Sequence, residues 1–148
     1  MDRFRGSAPA RLDEKGRLKV PNLFRQQIEE AFGRELFVTS LHGRNFLVYP
    51  MPIWRALEEK LADLPAIHRA KTKFLERVNF YGQDAVLDAQ GRVLVPQILR
   101  DAAKLPADVV VTGNIDHLVV SDRAGLAKKL ATEDFGPEDY DELSKLLL

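Results

Sequence analysis

The chain has 148 residues, 45% of them hydrophobic and 30% charged, with 22 basic side chains against 22 acidic ones. That is enough for one ordinary domain, or for two small halves that share a core. Zero cysteines exclude disulfides, thiolate metal sites and cysteine nucleophiles. No apolar run reads as a membrane span and no N-terminal pattern as a signal peptide, so a soluble, cytoplasmic protein is expected.

The zero net charge conceals an uneven distribution. Residues 1–20 hold Arg3, Arg5, Arg11, Lys15, Arg17 and Lys19 against Asp2, Asp13 and Glu14. Residues 133–148 hold Glu133, Asp134, Glu138, Asp139, Asp141 and Glu142 against Lys145 alone. The chain is a basic head with an acidic tail, and for a polyanionic partner the distribution matters more than the sum.

In chain order, residues 8–20 alternate as two short strands with Leu12, Leu18 and Val20 inward. Between them lies the turn Asp13-Glu14-Lys15-Gly16. Aspartate bonds backbone N–H groups two residues ahead and glycine accepts a positive φ, so this is turn chemistry with a mechanism. A period of two then sends Arg17 and Lys19 outward together. Pro21 opens a helix with Leu23, Phe24, Ile28, Ala31 and Phe32 at helical spacing, and Gly33 is its stop. Leu36–Thr39 and Phe46–Tyr49 read as a hairpin. Pro50 and Pro52 open a second helix with Trp54, Leu57, Leu61 and Leu64 on one face, broken by Pro65. From Ile67 to Tyr81 an apolar stripe of Ile67, Ala70, Phe74 and Val78 predicts a connecting helix; its basic face reads as solvated, with an intersubunit contact or a second DNA-facing surface as the alternatives.

Seventy-five residues after the first turn the pattern returns. Leu87-Asp88-Ala89-Gln90-Gly91-Arg92-Val93-Leu94-Val95-Pro96 repeats Leu12-Asp13-Glu14-Lys15-Gly16-Arg17-Leu18-Lys19-Val20-Pro21, and the helical runs that follow reach Arg100 and Arg25 respectively. A helix over Gln97–Lys104 with Ile98, Leu99, Ala102 and Ala103 on one face, a hairpin of Val109–Thr112 and Leu118–Ser121, and a short helix around Leu126 and Leu130 complete the same order. Two copies at this period are too few for a solenoid and point to a duplicated half-domain. After Gly136-Pro137 the acidic tail is amphipathic through Tyr140, Leu143, Leu146 and Leu147.

The motifs of common enzymes are missing: no phosphate loop, no His-Glu-x-x-His helix, no serine in a nucleophile elbow. His42, His68 and His117 have no ligand spacing, so no metal or cofactor is expected. Asp13, Asp88, Gly91 and Arg92 read as turn-structuring residues. Lys15, Gly16, Arg17 and Lys19, with Arg5 and Arg11 nearby, have the makeup of a β element that enters a DNA groove. There arginine also forks onto guanine. Local chemistry leaves two roles open for Arg17, a brace to Asp13 or a DNA contact. A brace accounts for the recurrence of Asp and Gly-Arg in both copies but not for the basic excess around the first alone, and local chemistry divides evenly between the two.

The first copy, with Phe4-Arg5-Gly6 upstream and then Asp13-x-x-Gly16-Arg17, Pro21 and Arg25, resembles the start of the MraZ family. Leu47-Val48-Tyr49-Pro50 followed by Trp54, and the second copy from Asp88 to Arg100, match further segments in order and at the right spacing, to about residue 122. Where the family often has an aromatic-rich strand ending in Trp-Asp, this chain has His117-Leu118-Val119-Val120-Ser121-Asp122.

The resemblance implies an α+β fold of the SpoVT–AbrB type. Two pseudo-symmetric swapped-hairpin halves would form a small β-barrel-like core with flanking helices. The expected divisions are residues 1–66, a connecting helix at 67–82, a second repeat at 83–131 and a tail at 132–148. It also implies a nucleoid-associated bacterial transcriptional regulator, not an enzyme. Such a protein binds double-stranded DNA at repeated sites upstream of the division and cell-wall gene cluster, its own promoter included. Ring-shaped homo-oligomers, with neither a membrane nor a small-molecule substrate as partner, complete the expectation, and Arg17 is the leading contact with Lys15 beside it. The rival readings are an AbrB-type antitoxin whose acidic tail holds a toxin, and a structural ring or enzyme that does not bind DNA.

Overall fold

The computed structural model describes residues 3–148. Asp2, one of the acids of the head, lies outside them. In chain order the elements are β1 (Ser7–Arg11), β2 (Arg17–Lys19), α1 (Asn22–Ala31), β3 (Glu35–Thr39), β4 (Phe46–Pro50), α2 (Met51–Ala62) and α3 (Arg69–Tyr81). They are followed by β5 (Gln83–Val86), β6 (Arg92–Leu94), α4 (Gln97–Ala103), β7 (Asp108–Asn114), β8 (His117–Asp122), α5 (Arg123–Thr132) and α6 (Pro137–Leu147). The class is α+β.

Two sheets organise them. A six-stranded antiparallel sheet runs β1-β7-β8-β4-β3-β5, and a separate ribbon pairs β2 with β6. The two strands expected on either side of the first turn touch only through a bridge between Leu12 and Leu18; their ladders lie elsewhere. β1 pairs with β7, Ala8 opposite Val111, and β2 pairs with β6, Leu18 opposite Val93. β5, which the sequence reading did not single out, pairs with β3. Strands that open one copy therefore complete the sheet of the other. The expected barrel-like core is corrected: the sheet is open. Its edge strands β1 and β5 each run into an aspartate turn that redirects the chain into the ribbon, so the two edges never meet.

The main core draws on both copies. Phe24 and Ile28 of α1 are buried with Leu18, Val20, Leu36, Val38, Phe46 and Val48 from the first copy. Val93, Val95, Leu99, Val109, Val111, Leu118 and Val120 come from the second. Each large aliphatic or aromatic side chain so buried contributes about 1.5–3 kcal/mol. Leu118 and Val120 fill positions where an aromatic-rich strand would sit, and His117 stacks on Tyr49 of the first copy at 4.3 Å between ring centroids. Burial raises the Tyr49 phenol to about 12, with Asp116 adding to it. A second cluster joins Phe37, Met51, Trp54 and Val78, with Trp54 stacked on Phe37 at 4.5 Å.

The helix faces need three corrections. Ile67 precedes α3 and is 94% exposed, so the connecting stripe reduces to Phe74 and Val78, where Trp54 and Phe37 give them something to pack on. Leu64 lies beyond the end of α2 and is exposed. Leu23 and Ile98 hold matching positions in α1 and α4 and are both exposed, because each helix meets the core through the next residue, Phe24 or Leu99. The acidic tail is a helix, α6, with Pro137 in its first turn and the Asp139 carboxylate accepting the Gly136 N–H at 2.9 Å. Neither α5 nor α6 has a buried residue.

Candidate nucleic-acid interface

The two aspartate turns are built alike. Asp13 Oδ1 accepts the N–H groups of Lys15 and Arg17, each at 2.9 Å, and Oδ2 accepts Nε of Arg17 at 2.7 Å. Asp88 Oδ1 accepts the N–H groups of Gln90 and Arg92, each at 2.8 Å, and Oδ2 accepts Nε of Arg92 at 3.1 Å. These bonds favour the charged carboxylate. Both aspartates are held below the usual value of 3.8, chiefly by the arginine N–H bond, although partial desolvation works the other way. The brace between Arg17 and Asp13 is therefore real. It is made through Nε, so the terminal nitrogens of the guanidinium are not committed to it.

Gly16 and Gly91 sit at φ +81° and +78°, a region that L side chains rarely adopt. Each is also covered. A Cβ on Gly16 would strike the Arg100 side chain, and a Cβ on Gly91 would strike that of Arg25. The close approach at Gly16 thus comes from within the chain, from α4 of the other copy. Arg25 Nη2 further donates to the Ala89 carbonyl at 2.9 Å. Arg25 and Arg100 carry no role in the sequence reading, and the available signal was their recurrence at one spacing.

Between the turns lies the ribbon. Arg17 stands opposite Leu94, Leu18 opposite Val93, and Lys19 opposite Arg92. Leu18 and Val93 are buried, so alternation places Arg17, Lys19, Arg92 and Leu94 on the outward face. The ladder is lengthened at each end, where Val20 N–H donates to the Gly91 carbonyl and Val95 N–H to that of Gly16. Lys15 lies exposed on the first turn, next to this face. The structure thus brings Lys15, Gly16, Arg17 and Lys19 together and adds Arg92 to them.

Arg5 and Arg11 belong elsewhere. Arg5 follows Phe4, which bridges to Ile115 at the far end of β7. Arg11 ends β1 on the six-stranded sheet and pairs with Asp108 at 3.1 Å, both side chains exposed. Among the described residues no group of three or more His, Asp or Glu side chains is placed to hold a metal ion, and no helix is long and apolar enough to cross a membrane.

Comparison with known proteins agrees with the segments that carry the resemblance. A family model described as "MraZ protein, putative antitoxin-like" matches residues 4–77 and 82–135, both copies included. The transcriptional regulator MraZ of Acidobacterium capsulatum is 44% identical over 142 residues, which cover 96% of this chain and 97% of that protein. Its namesake from Koribacter versatilis is 42% identical over 144 residues, covering 97% and 98%. That of Nitrosomonas europaea is 32% identical over 121 residues, covering 82% of each. With both aspartate turns inside the matched regions and relatives of this identity along nearly the whole length, the chain belongs to the MraZ family.

Proposed function

We propose that this chain is a sequence-specific DNA-binding transcriptional regulator, a repressor acting at repeated sites upstream of the division and cell-wall gene cluster and at its own promoter. The observation that carries the reading is the outward face of the β2–β6 ribbon, with Arg17, Lys19 and Arg92 side by side and Lys15 on the adjoining turn. A two-stranded ribbon is a shape the major groove admits, with cations for phosphate and arginine for guanine. Relatives named transcriptional regulators support it. Arg17 is the leading contact, flanked by Lys15, Gly16 and Lys19, with Arg5 and Arg11 as outlying phosphate contacts. The second turn chiefly completes the fold.

The same proposal takes the two copies as swapped-hairpin halves related by a pseudo-two-fold axis. Hydrogen bonds that occur in matched pairs support this. Leu12 N–H donates to the Ala107 carbonyl and Leu87 N–H to the Arg34 carbonyl, each at 2.9 Å. In this reading residues 1–66 and 83–131 are the repeats, 67–82 the connector and 132–148 a tail. The subunits assemble as a ring, which lets several ribbons meet repeated sites on one nucleoid DNA.

An electrophoretic shift assay with the native upstream region, against random DNA as competitor, tests the reading. Wild type should shift the native fragment selectively. Arg17→Ala should abolish the shift while keeping its circular dichroism spectrum, and folded Arg92→Ala should cost less. Equal losses at unchanged oligomeric state would remove the asymmetry between the copies. A folded Arg17→Ala that still binds fully would remove the turn from the interface.

A second reading, an antitoxin, is favoured by α6, whose Tyr140, Leu143, Leu146 and Leu147 are exposed on an acidic helix. A toxin recovered with the chain from its native host, and lost on deletion of residues 133–148, would decide for it.

A further inference from the structure

The two ends of the ribbon differ in charge although their backbones match. Each turn glycine is covered by an arginine from the other copy's helix, Gly91 by Arg25 and Gly16 by Arg100. At the second turn that arginine is ion-paired and its donors are engaged, since Nε donates to Glu29 at 3.0 Å, a carboxylate that Arg34 also reaches at 2.9 Å, and Nη2 donates to the Ala89 carbonyl. Glu29 stands four residues beyond Arg25. Four residues beyond Arg100 stands Lys104. Lys104 follows the end of α4 in the left-handed conformation at φ +49°, so the arginine at the first turn has no carboxylate one turn along its own helix.

Its other contacts do not replace that carboxylate. Arg100 Nη2 donates to the neutral amide oxygen of Gln97, and Nε is buried without a hydrogen-bond partner. Of the acids around this end, Asp13 is engaged by Arg17, Asp101 accepts from Gln97, and Glu14 is exposed on the turn. A guanidinium held in place, partly exposed and without a counter-charge is a ready acceptor of an anion. Lys15 and Arg17 are the chain neighbours of the glycine it crosses.

Resting on the DNA reading above, we propose that Arg100 forms, with Lys15 and Arg17, a binding site for a backbone phosphate of DNA at the first-turn end of the ribbon only. One copy supplies the turn and the other the arginine, so the site exists only where the two copies are paired. Nε stays inside against Gly16, fixing the side chain, and the outer part of the guanidinium meets the phosphate. The first-turn end then differs by Lys15 in place of Gln90 and by an Arg100 without an ion pair in place of an Arg25 paired with Glu29, whereas Lys19 lies opposite Arg92 at the other end.

The test is a fluorescence anisotropy titration of the full-length chain with its upstream duplex, repeated between about 50 and 200 mM salt. Arg100→Gln should weaken binding and make the slope of log K against log salt shallower by about 0.9 for each bound subunit. Arg25→Gln, once its thermal stability is seen to be retained, should leave the slope unchanged. Gln97→Glu puts a carboxylate on the atom that Arg100 Nη2 already reaches, and should flatten the slope more than Asn22→Asp, the same charge change at the matched position of α1.

Folded Arg100→Gln with an unaltered slope overturns the proposal, and so do equal changes from Arg100→Gln and Arg25→Gln. Should Arg100→Gln not fold, equal slopes for Gln97→Glu and Asn22→Asp overturn it instead. Wild type that does not bind the upstream duplex removes the DNA reading and the phosphate site together. Wild-type binding with an indifferent Arg100 removes only the site.

Discussion

Asp13 and Asp88 each hold two backbone N–H groups and one arginine Nε, and their carboxyls are depressed mainly by the first of these bonds. A depressed carboxylate stabilises the fold fully above its unfolded value, near 3.8, and the contribution is lost as pH falls through the lower folded value. Both turns should therefore stay intact through pH 3.8 and open only below it. The check is an NMR titration of the two side-chain carboxyls together with the Arg17 and Arg92 amides. Midpoints at or above 3.8 would show that the bonds do not persist in solution. At the glycines the constraint is double, a positive φ and an arginine in the space a Cβ would need. Gly16→Ala should cost at least about 1–3 kcal/mol, from left-handed strain alone, and more if Arg100 cannot move aside. Urea unfolding measures it.

β2 and β6 have three residues each, too few to persist without what lies beneath them. What fixes the ribbon is Leu18 and Val93 in the common core, with Val20 and Val95 bonded across its ends. Leu18→Ala should cost roughly 2–5 kcal/mol. Lys19→Ala, one residue along on the outward face, should stay within about 0.5 kcal/mol. Denaturant midpoints at constant m-value compare the two, and equal losses would mean that the ribbon does not face as described. Element type and inward residues were legible in the sequence because alternation and helical spacing are local signals. Leu18, Val20, Phe24, Ile28 and Trp54 are buried as the pattern requires. The choice of partner strand was not legible, since pairing β1 with β7 and β5 with β3 depends on contacts across the chain. The same gap explains the site. Lys15, Arg17 and Lys19 were found from one copy's charge, whereas Arg92 and Arg100 join them only through cross-copy pairing. Arg11 lay close in sequence and goes to a different sheet. Ile67 fitted the helical period and is exposed, because periodicity marks a face without showing what covers it.

At the scale of the whole molecule, every buried side chain among the described residues lies within residues 3–122, and α5 and α6 hold none. Removing residues 133–148 should therefore leave the melting temperature of the subunit nearly unchanged by calorimetry, and a large drop would mean that the tail is part of the core. A ribbon of six residues presents few contacts to DNA, so one subunit should bind weakly. In the proposed ring, several ribbons share one body and repeated sites share one duplex, which makes each later contact intramolecular. Avidity then exceeds single-site affinity by about 10²–10⁴ without any new kind of contact. Duplexes with one, two and three repeats at native spacing, measured by surface plasmon resonance, should show affinity rising steeply with repeat number and dissociation slowing accordingly. Inserting half a helical turn between repeats should abolish the gain while leaving single-repeat binding intact, because the ribbons would face the wrong side of the duplex. If affinity is the same for one repeat as for three, a single subunit carries the recognition and the ring plays no part in it.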